Sequence, residues 1–206
     1  MKKKLEIEIK LAVRDPRAIK RKLKELGFRR AIARHFESNQ LLDFPNLALR
    51  RAQSLLRLRS ARGRSILTFK GAPGRSRQFK ERPEVEAEIG DRKGLKAAIA
   101  GYGLRQIFRY DKYRTVYLPG PQAKAQSLEI AYDETPIGNF VELEGPRRAI
   151  DAVARGLGFA RRDYITASYA ALYEQWRRKR RLRPGNMVFA ARKPEAKSLR
   201  GAERAE

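Results

Sequence analysis

The chain has 206 residues, 42% of them hydrophobic, which suits one domain with a sizeable core and a short extension rather than two independent domains. It has no cysteine, which excludes disulfides and thiolate zinc sites, and only one histidine, so any bound metal is expected to have oxygen ligands, as magnesium and manganese prefer. The 48 lysine and arginine residues outnumber 23 acidic residues, and the net charge of +25 favours anionic partners such as nucleic acid, polyphosphate or small phosphate esters.

The N-terminus begins with basic residues, as a signal peptide does. Alternating charges at Glu6, Glu8 and Lys10 then replace the continuous apolar run that a signal peptide needs. The chain also lacks a stretch of about 20 apolar residues that could cross a membrane. We therefore expect a cytoplasmic protein with no membrane partner.

The segment Leu5–Leu11 alternates strictly and predicts a strand. Because side chains alternate between the two faces of a strand, Glu6, Glu8 and Lys10 share one face and aliphatic residues occupy the other. Neighbouring carboxylates repel each other unless a cation or water lies between them. In so basic a chain, this face predicts a site for metal ions and an anionic ligand.

A helix and a long extended segment are predicted next. Asp15 followed by Pro16 is typical of a helix start, and the helix is expected to end near Gly27. Residues 28–44 are predicted to be extended, and residues 45–51 form a turn or a short helical link.

The middle of the chain predicts a hairpin, a loop and an acidic strand. Strands at 54–60 and 65–70 flank the turn at residues 62–64, with Arg57 and Arg59 on one face of the first strand. Residues 71–82, rich in glycine, proline and basic residues, are predicted to form a mobile loop. Pro83 then leads into a strand that places Glu84, Glu86 and Glu88 on one face.

The remaining elements alternate between helices and strands. Helices are predicted at residues 91–101, 146–156 and 165–176, and strands at residues 108–117, 127–133 and 139–144. Again charges share strand faces: Lys112 with Arg114, Glu129 with Asp133, and Glu142 with Glu144.

The sequence predicts one domain over residues 1–176 and a tail over residues 177–206. The tail starts with five consecutive basic residues and has few apolar ones, so we expect it to be disordered and to make at most nonspecific contacts with polyanions.

About eight strands with three or four helices indicate an α+β domain built on an antiparallel sheet. For a single strand, a charged face would ordinarily face water. If every charged face pointed outward from a closed sheet, however, the apolar faces would fill the barrel and the amphipathic helices would have little to pack against. If the charged faces point inward, the helices can cover the aliphatic exterior, and the interior becomes a tunnel suited to an anionic ligand carrying a divalent metal.

At this point the sequence resembles a known family. Residues 6–10 read Glu-Ile-Glu-Ile-Lys and resemble the ExExK signature of the CYTH superfamily, which groups class IV adenylate cyclases, thiamine triphosphatases and triphosphate tunnel metalloenzymes. Alone the pentapeptide is a weak signal, but further family motifs follow in order. They are the LRxR strand at residues 56–59, the lysine strand at 67–71, the RxExE strand at 82–86, the paired basic strand at 112–114, the GxFxExE strand at 138–144 and the SY pair at 168–169.

The resemblance implies an eight-stranded antiparallel β-barrel, the triphosphate tunnel, with helices packed outside and Mg²⁺ or Mn²⁺ as cofactor. It implies that metal is bound by Glu6, Glu8, Glu142 and Glu144, with Asp133 in a nearby acidic position. Glu84 and Glu86 would serve a second metal or its water, although Glu88 leaves open whether Glu86 and Glu88 are the operative pair. Phosphate would be bound by Lys10, Arg57, Arg59, Lys70, Arg82, Lys112 and Arg114.

Three functions fit this pattern. The first is metal-dependent hydrolysis of an inorganic or organic triphosphate, with Glu84, Glu86 and Lys10 at the reacting centre. The second is a class IV adenylate cyclase, in which the ribose 3′-hydroxyl attacks and pyrophosphate leaves; no residues that recognise a base stand out in the sequence. The third is a non-catalytic binder of polyphosphate or RNA, which would not explain the strand acids. The substrate partner is thus expected to be a small triphosphate, and a homodimer is compatible with the sequence.

Overall fold

The computed structural model describes residues 4–76 and 78–190. Within them the strands are β1 (Lys4–Val13), β2 (Phe28–Asp43), β3 (Leu55–Ala61), β4 (Arg64–Lys70), β5 (Lys80–Glu88), β6 (Arg105–Pro119), β7 (Glu129–Thr135) and β8 (Gly138–Glu144). The helices are α1 (Pro16–Glu25), α2 (Ala48–Arg51), α3 (Arg92–Gly101), α4 (Arg147–Gly156) and α5 (Tyr169–Lys179), with a 3₁₀ turn at Arg161–Asp163. None of the helices in these ranges is long and apolar enough to cross a membrane.

The strands form a closed antiparallel barrel in the order β1-β5-β4-β3-β2-β6-β7-β8. The first strand closes it, because β1 pairs with β5 through its first half and with β8 through its second half. The predicted hairpin is β3 and β4, in which Arg57 lies opposite Thr68. The expected α+β fold with an eight-stranded antiparallel barrel is confirmed.

The charged strand faces point into the barrel and the aliphatic faces point out. On β1, Ile9 and Leu11 are fully buried in a core that also contains Leu23 of α1 and Ile150 of α4. The helices therefore pack on the outside of the barrel, as the inward orientation of the charges required. Burying the aliphatic faces of three neighbouring strands, β1, β7 and β8, under two helices provides the main hydrophobic core.

The helix starts follow the local sequence. Asp15 accepts hydrogen bonds from the backbone N–H groups of Arg17 and Ala18 at 2.9 and 3.0 Å, and Pro16 occupies the first turn of α1. Asp91 caps α3 in the same way through the N–H of Gly94. Unlike α1 and α4, α3 contributes no buried residue to the core.

The strand β5 begins three residues earlier than the sequence predicted. Backbone hydrogen bonds from Gly71 to Pro83 and from Gly74 to Glu81, 2.9 and 2.8 Å long, fold the predicted loop back along this strand. Lys80 and Arg82 consequently belong to the barrel wall. The sequence missed this because the glycine-rich and proline-rich composition of the segment is typical of loops.

The segment around Met187 packs against the barrel. Leu41, Tyr110 and Phe140 form an apolar cluster with Tyr169 of α5 and with Met187, which is fully buried. Two backbone hydrogen bonds of 2.9 Å, from the N–H of Met187 to Arg109 and from the N–H of Asp111 to Met187, attach this segment to β6.

This attachment changes the predicted extent of the folded domain. The predicted boundary at residue 176 falls inside α5, and Asn186, Met187 and Phe189 of the predicted tail contact β6. Residues 191–206 lie outside the described residues.

Candidate functional site

The barrel encloses a cavity of about 470 Å³ whose walls are mostly charged. Every residue that the sequence predicted for the site lines this cavity, with the exception of Asp133. The predicted residues that the structure brings together are Glu6, Glu8, Lys10, Arg57, Arg59, Lys70, Arg82, Glu84, Glu86, Lys112, Arg114, Glu142 and Glu144.

Several cavity residues were not predicted as site residues. They include Lys80, which the sequence placed in a loop, and Tyr110 of β6. Glu129 also lines the wall; its position on the same strand face as Asp133 was the signal that could have identified it. Tyr169, the first residue of α5, also lines the cavity.

Lysines of β1 and β5 contact carboxylates of β1 and β8. The ammonium of Lys10 lies 3.1 Å from Glu8 and 3.1 Å from Glu142, and burial of this group is outweighed by the two carboxylates, so the pKa of Lys10 is raised. Burial alone would raise the pKa of Glu8, but Lys10 and Lys80 hold it well below its usual range. Lys80 donates a hydrogen bond to the same Glu8 oxygen.

A second group of ion pairs joins β1, β3, β4 and β5. Lys70 donates to Glu6 at 2.5 Å and lies 3.3 Å from Glu84. Arg57 contacts Glu86 at 3.4 Å, and the hydroxyl of Thr68 donates to Glu86 at 2.7 Å. Burial, followed by the neighbouring carboxylates, raises the pKa of Glu84, whereas Thr68 and Arg57 outweigh burial and lower the pKa of Glu86.

The structure also locates the third acid of β5. Glu88 lies 3.6 Å from Arg64, and both side chains are more than half exposed, so Glu88 does not line the cavity. The carboxylate pair that faces the interior is Glu84 and Glu86.

Asp133 is completely buried and does not line the cavity. Its carboxylate accepts hydrogen bonds from Lys112 at 2.8 Å, from Arg114 at 2.7 Å through two nitrogens, and from the hydroxyl of Tyr169 at 2.7 Å. The oxygens of Asp133 are therefore occupied by donors from β6 and α5, and this carboxylate fixes the direction of Lys112 and Arg114.

Two further buried residues of β2 support the basic wall. Asn39 accepts a hydrogen bond of 3.1 Å from Arg59, and a Glu37 oxygen lies 3.6 Å from Lys112 and 3.7 Å from Arg59. Although burial alone would raise the pKa of Glu37, Lys112, Arg114 and Arg59 lower it well below its usual range. This role was not visible in the sequence, because the alternation of β2 is irregular.

The donor chemistry of the cavity fits a hard divalent cation, because Glu6, Glu8, Glu142 and Glu144 all offer carboxylate oxygens. These carboxylates are not arranged as a ready-made site, however. Across the part of the chain that the structure describes, no three acidic or histidine side chains lie close enough together to hold a metal ion. Basic side chains stand between the acids instead.

Residues 4–159 match the family model described as the CYTH domain. The chain belongs to the CYTH domain family. This match covers all eight strands and α1 to α4, so the family's defining region is the barrel together with its outer helices. The motif resemblance noted in the sequence is thereby confirmed.

The chain is similar to proteins that carry provisional adenylate cyclase names. A Methanocaldococcus jannaschii protein, provisionally named an adenylate cyclase, is 28% identical over 141 residues, covering 68% of this chain and 76% of the relative. A Vibrio parahaemolyticus structure with a similarly provisional adenylate cyclase name superposes with a TM-score of 0.71 at 18% identity, covering 84% of this chain and 99% of the other.

A third similar structure, from Hippeastrum, is described in its name as a provisional adenylyl cyclase with a dominant triphosphatase activity. It superposes with a TM-score of 0.58 at 20% identity, covering 82% of this chain and 95% of the other. At these identities the two solved structures establish the shared fold.

Proposed function

We propose that this protein is a divalent-metal-dependent hydrolase of the phosphoanhydride bond in a small triphosphate. The observation that carries this proposal is the cavity wall, on which lysines and arginines from β1, β3, β4, β5 and β6 face carboxylates from β1, β5 and β8. Phosphoryl transfer needs positioning and charge neutralisation more than covalent help, and such a wall supplies both. The triphosphatase activity named for the similar Hippeastrum structure also supports a hydrolase.

In this proposal the cavity's basic residues bind the phosphate oxygens. Arg114 and Lys112 are oriented by Asp133, which is not a proposed metal ligand, so these two cations occupy fixed positions before substrate enters. Preorganised cations stabilise the charge that develops on the leaving phosphate without having to reorganise. The full phosphate-binding set is Lys10, Arg57, Arg59, Lys70, Arg82, Lys112 and Arg114.

Mg²⁺ or Mn²⁺ would be held by Glu6, Glu8, Glu142 and Glu144. When bound, such an ion neutralises phosphate charge and lowers the pKa of a coordinated water. Asp133 is left out of this set, because its oxygens already accept hydrogen bonds from Lys112, Arg114 and Tyr169.

Glu84 and Glu86 are assigned to the attacking water. The pKa of Glu84 is raised by burial and by neighbouring carboxylates, which makes this carboxylate the better proton acceptor of the pair. Glu86, held by Thr68 and Arg57, has a lowered pKa and orients the water.

A class IV adenylate cyclase is the second candidate. It is favoured by the provisional name of the M. jannaschii relative, the most similar in sequence among those described above. In a cyclase the same basic wall would bind ATP, and pyrophosphate would leave.

One experiment separates the two candidates. Purified protein is incubated with tripolyphosphate, ATP or thiamine triphosphate in the presence of Mg²⁺ or Mn²⁺, and orthophosphate, pyrophosphate and cyclic AMP are measured separately. We expect orthophosphate and no cyclic AMP, and no product when EDTA is present. Formation of cyclic AMP and pyrophosphate from ATP, without orthophosphate from tripolyphosphate, would replace the hydrolase with the cyclase.

A further inference from the structure

The acids and bases of the cavity neutralise one another. Lys70 donates to Glu6 at 2.5 Å, and Lys80 and Lys10 both contact Glu8. Glu142 likewise contacts Lys10 at 3.1 Å and accepts a hydrogen bond from Arg114. Each of these carboxylates is largely buried, so its basic partner replaces most of the water that would otherwise solvate it.

These ion pairs involve both halves of the proposed site. A metal ion needs the carboxylates of Glu6, Glu8 and Glu142, while a triphosphate needs the lysines that now neutralise them. A metal that arrives alone must displace ammonium groups and leave them buried without a partner, and a triphosphate that arrives alone must do the same to carboxylates. Either ligand therefore binds at the expense of existing contacts.

When both ligands arrive, the exchange balances. The phosphate oxygens accept hydrogen bonds from the ammonium and guanidinium groups, and the released carboxylates coordinate the cation. No charge is then left buried without a partner. The absence of three clustered ligating side chains in the described residues is consistent with a site that assembles in this way.

We propose that the metal ion and the triphosphate bind to this tunnel cooperatively by exchange of ion-pair partners, each strengthening the binding of the other. The proposal rests on the proposed function for the nature of the anion. Because coupling between two ligands is reciprocal, the same factor must appear whichever ligand is titrated.

Lys80 is the residue through which the exchange is most directly tested. Its ammonium contacts Glu8 from β5, while Lys10 contacts the same carboxylate oxygen from β1. The side chain of Lys80 is 14% exposed and lines the cavity. In this proposal Lys80 neutralises one metal ligand, Glu8, and becomes available to phosphate oxygens when the metal binds.

The test measures binding, not turnover. Full-length protein is mixed with Mn²⁺, with or without imidotriphosphate as a non-hydrolysable anion, and protein-bound Mn²⁺ is determined by ultrafiltration with correction for Mn²⁺ complexed in the filtrate. We expect imidotriphosphate to raise the Mn²⁺ affinity at least about tenfold, within the roughly 5- to 150-fold typical of linked sites. Equal Mn²⁺ affinity with and without the anion would overturn the proposal.

Two variants distinguish partner exchange from simple transport of Mn²⁺ on the anion. Lys80→Gln is expected to raise Mn²⁺ affinity in the absence of anion, to lower imidotriphosphate affinity and to shrink the coupling. Lys24→Gln, at an exposed position of α1, makes the same change outside the tunnel and should alter none of these. Glu8→Gln should reduce Mn²⁺ binding in the presence of the anion.

The outcomes are decisive in both directions. Unchanged Mn²⁺ affinity in folded Lys80→Gln, or full Mn²⁺ retention with anion in folded Glu8→Gln, would mean that exchange does not occur. Circular dichroism and thermal unfolding of each variant establish that it is folded. Since no step requires hydrolysis, failure to detect turnover would refute the proposed activity and leave the coupling measurement intact.

Discussion

Asp133→Asn is the substitution for which the structure gives the clearest energetic expectation. Asp133 is fully buried and neutralises Lys112 and Arg114, which donate to it at 2.7 to 2.8 Å. Removing one partner of a buried ion pair costs about 3–5 kcal/mol. Lys112 keeps Glu37 at 3.6 Å and Arg114 keeps Glu142, so we expect the lower end, about 3 kcal/mol.

For a domain of this size, 1 kcal/mol shifts Tm by about 2–4 °C, so the expected loss is roughly 6–12 °C in metal-free protein. Differential scanning calorimetry in EDTA measures it. Tyr169→Phe removes a single neutral donor to Asp133 and should cost about 1.5 kcal/mol. Arg21→Gln, which breaks an exposed pair with Glu25, should cost less than about 0.5 kcal/mol.

The two roles considered for Asp133 give opposite results here. A residue that orients buried cations stabilises the protein without metal, whereas a metal ligand would affect stability only when metal is present. If the Tm of metal-free Asp133→Asn lies within about 2 °C of the wild-type value, the orienting role is wrong. The prediction from the sequence that Asp133 binds metal would then be preferred.

Further predictions concern turnover, acid stability and the C-terminal segment. Glu142→Gln removes a proposed metal ligand and should reduce metal-dependent product formation at least about 100-fold, with an unchanged circular dichroism spectrum. Activity near the wild-type rate would exclude that role. Glu37 has a pKa lowered from its ordinary value of 4.5, so its stabilising contribution is complete above pH 4.5 and is lost as pH falls towards the lowered value. In urea unfolding below pH 4.5, the free energy of unfolding should fall more for the wild type than for Glu37→Gln. Equal pH dependence in the two proteins would contradict this role of Glu37. Met187→Ala should lower the free energy of unfolding by about 2–4 kcal/mol in denaturant titrations, because it leaves a cavity at a fully buried position. A change below about 0.5 kcal/mol would mean that packing of Met187 does not stabilise the barrel.

Much of the fold was predictable because strand alternation is a local signal. Glu6, Glu8 and Lys10 could be placed on one face from spacing alone, and the need to cover the aliphatic face then indicated which way that face points. The helix starts at Asp15 and Asp91 were equally visible, since capping depends on a single side chain and the next few N–H groups.

What the sequence could not provide were distances across the barrel. Asp133 has the residue type and strand face of a metal ligand, and only the positions of Lys112, Arg114 and Tyr169 show that its oxygens are engaged. Met187 was assigned to a tail by its basic neighbours, because pairing with a strand some 75 residues earlier leaves no local trace. The predictions of a homodimer, of cytoplasmic location and of polyanion binding by the tail stay predictions.

The pairing of β1 with both β5 and β8 has a consequence for how the chain folds during synthesis. This strand is synthesised before the other strands of the barrel, yet one of its neighbours is the last of them, so half of β1 must wait for residues 138–144. A waiting strand with two aliphatic faces would readily associate with other chains. The charges at Glu6, Glu8 and Lys10 keep one face hydrated throughout that interval, and we expect the same side chains that line the finished tunnel to protect the nascent chain from aggregation.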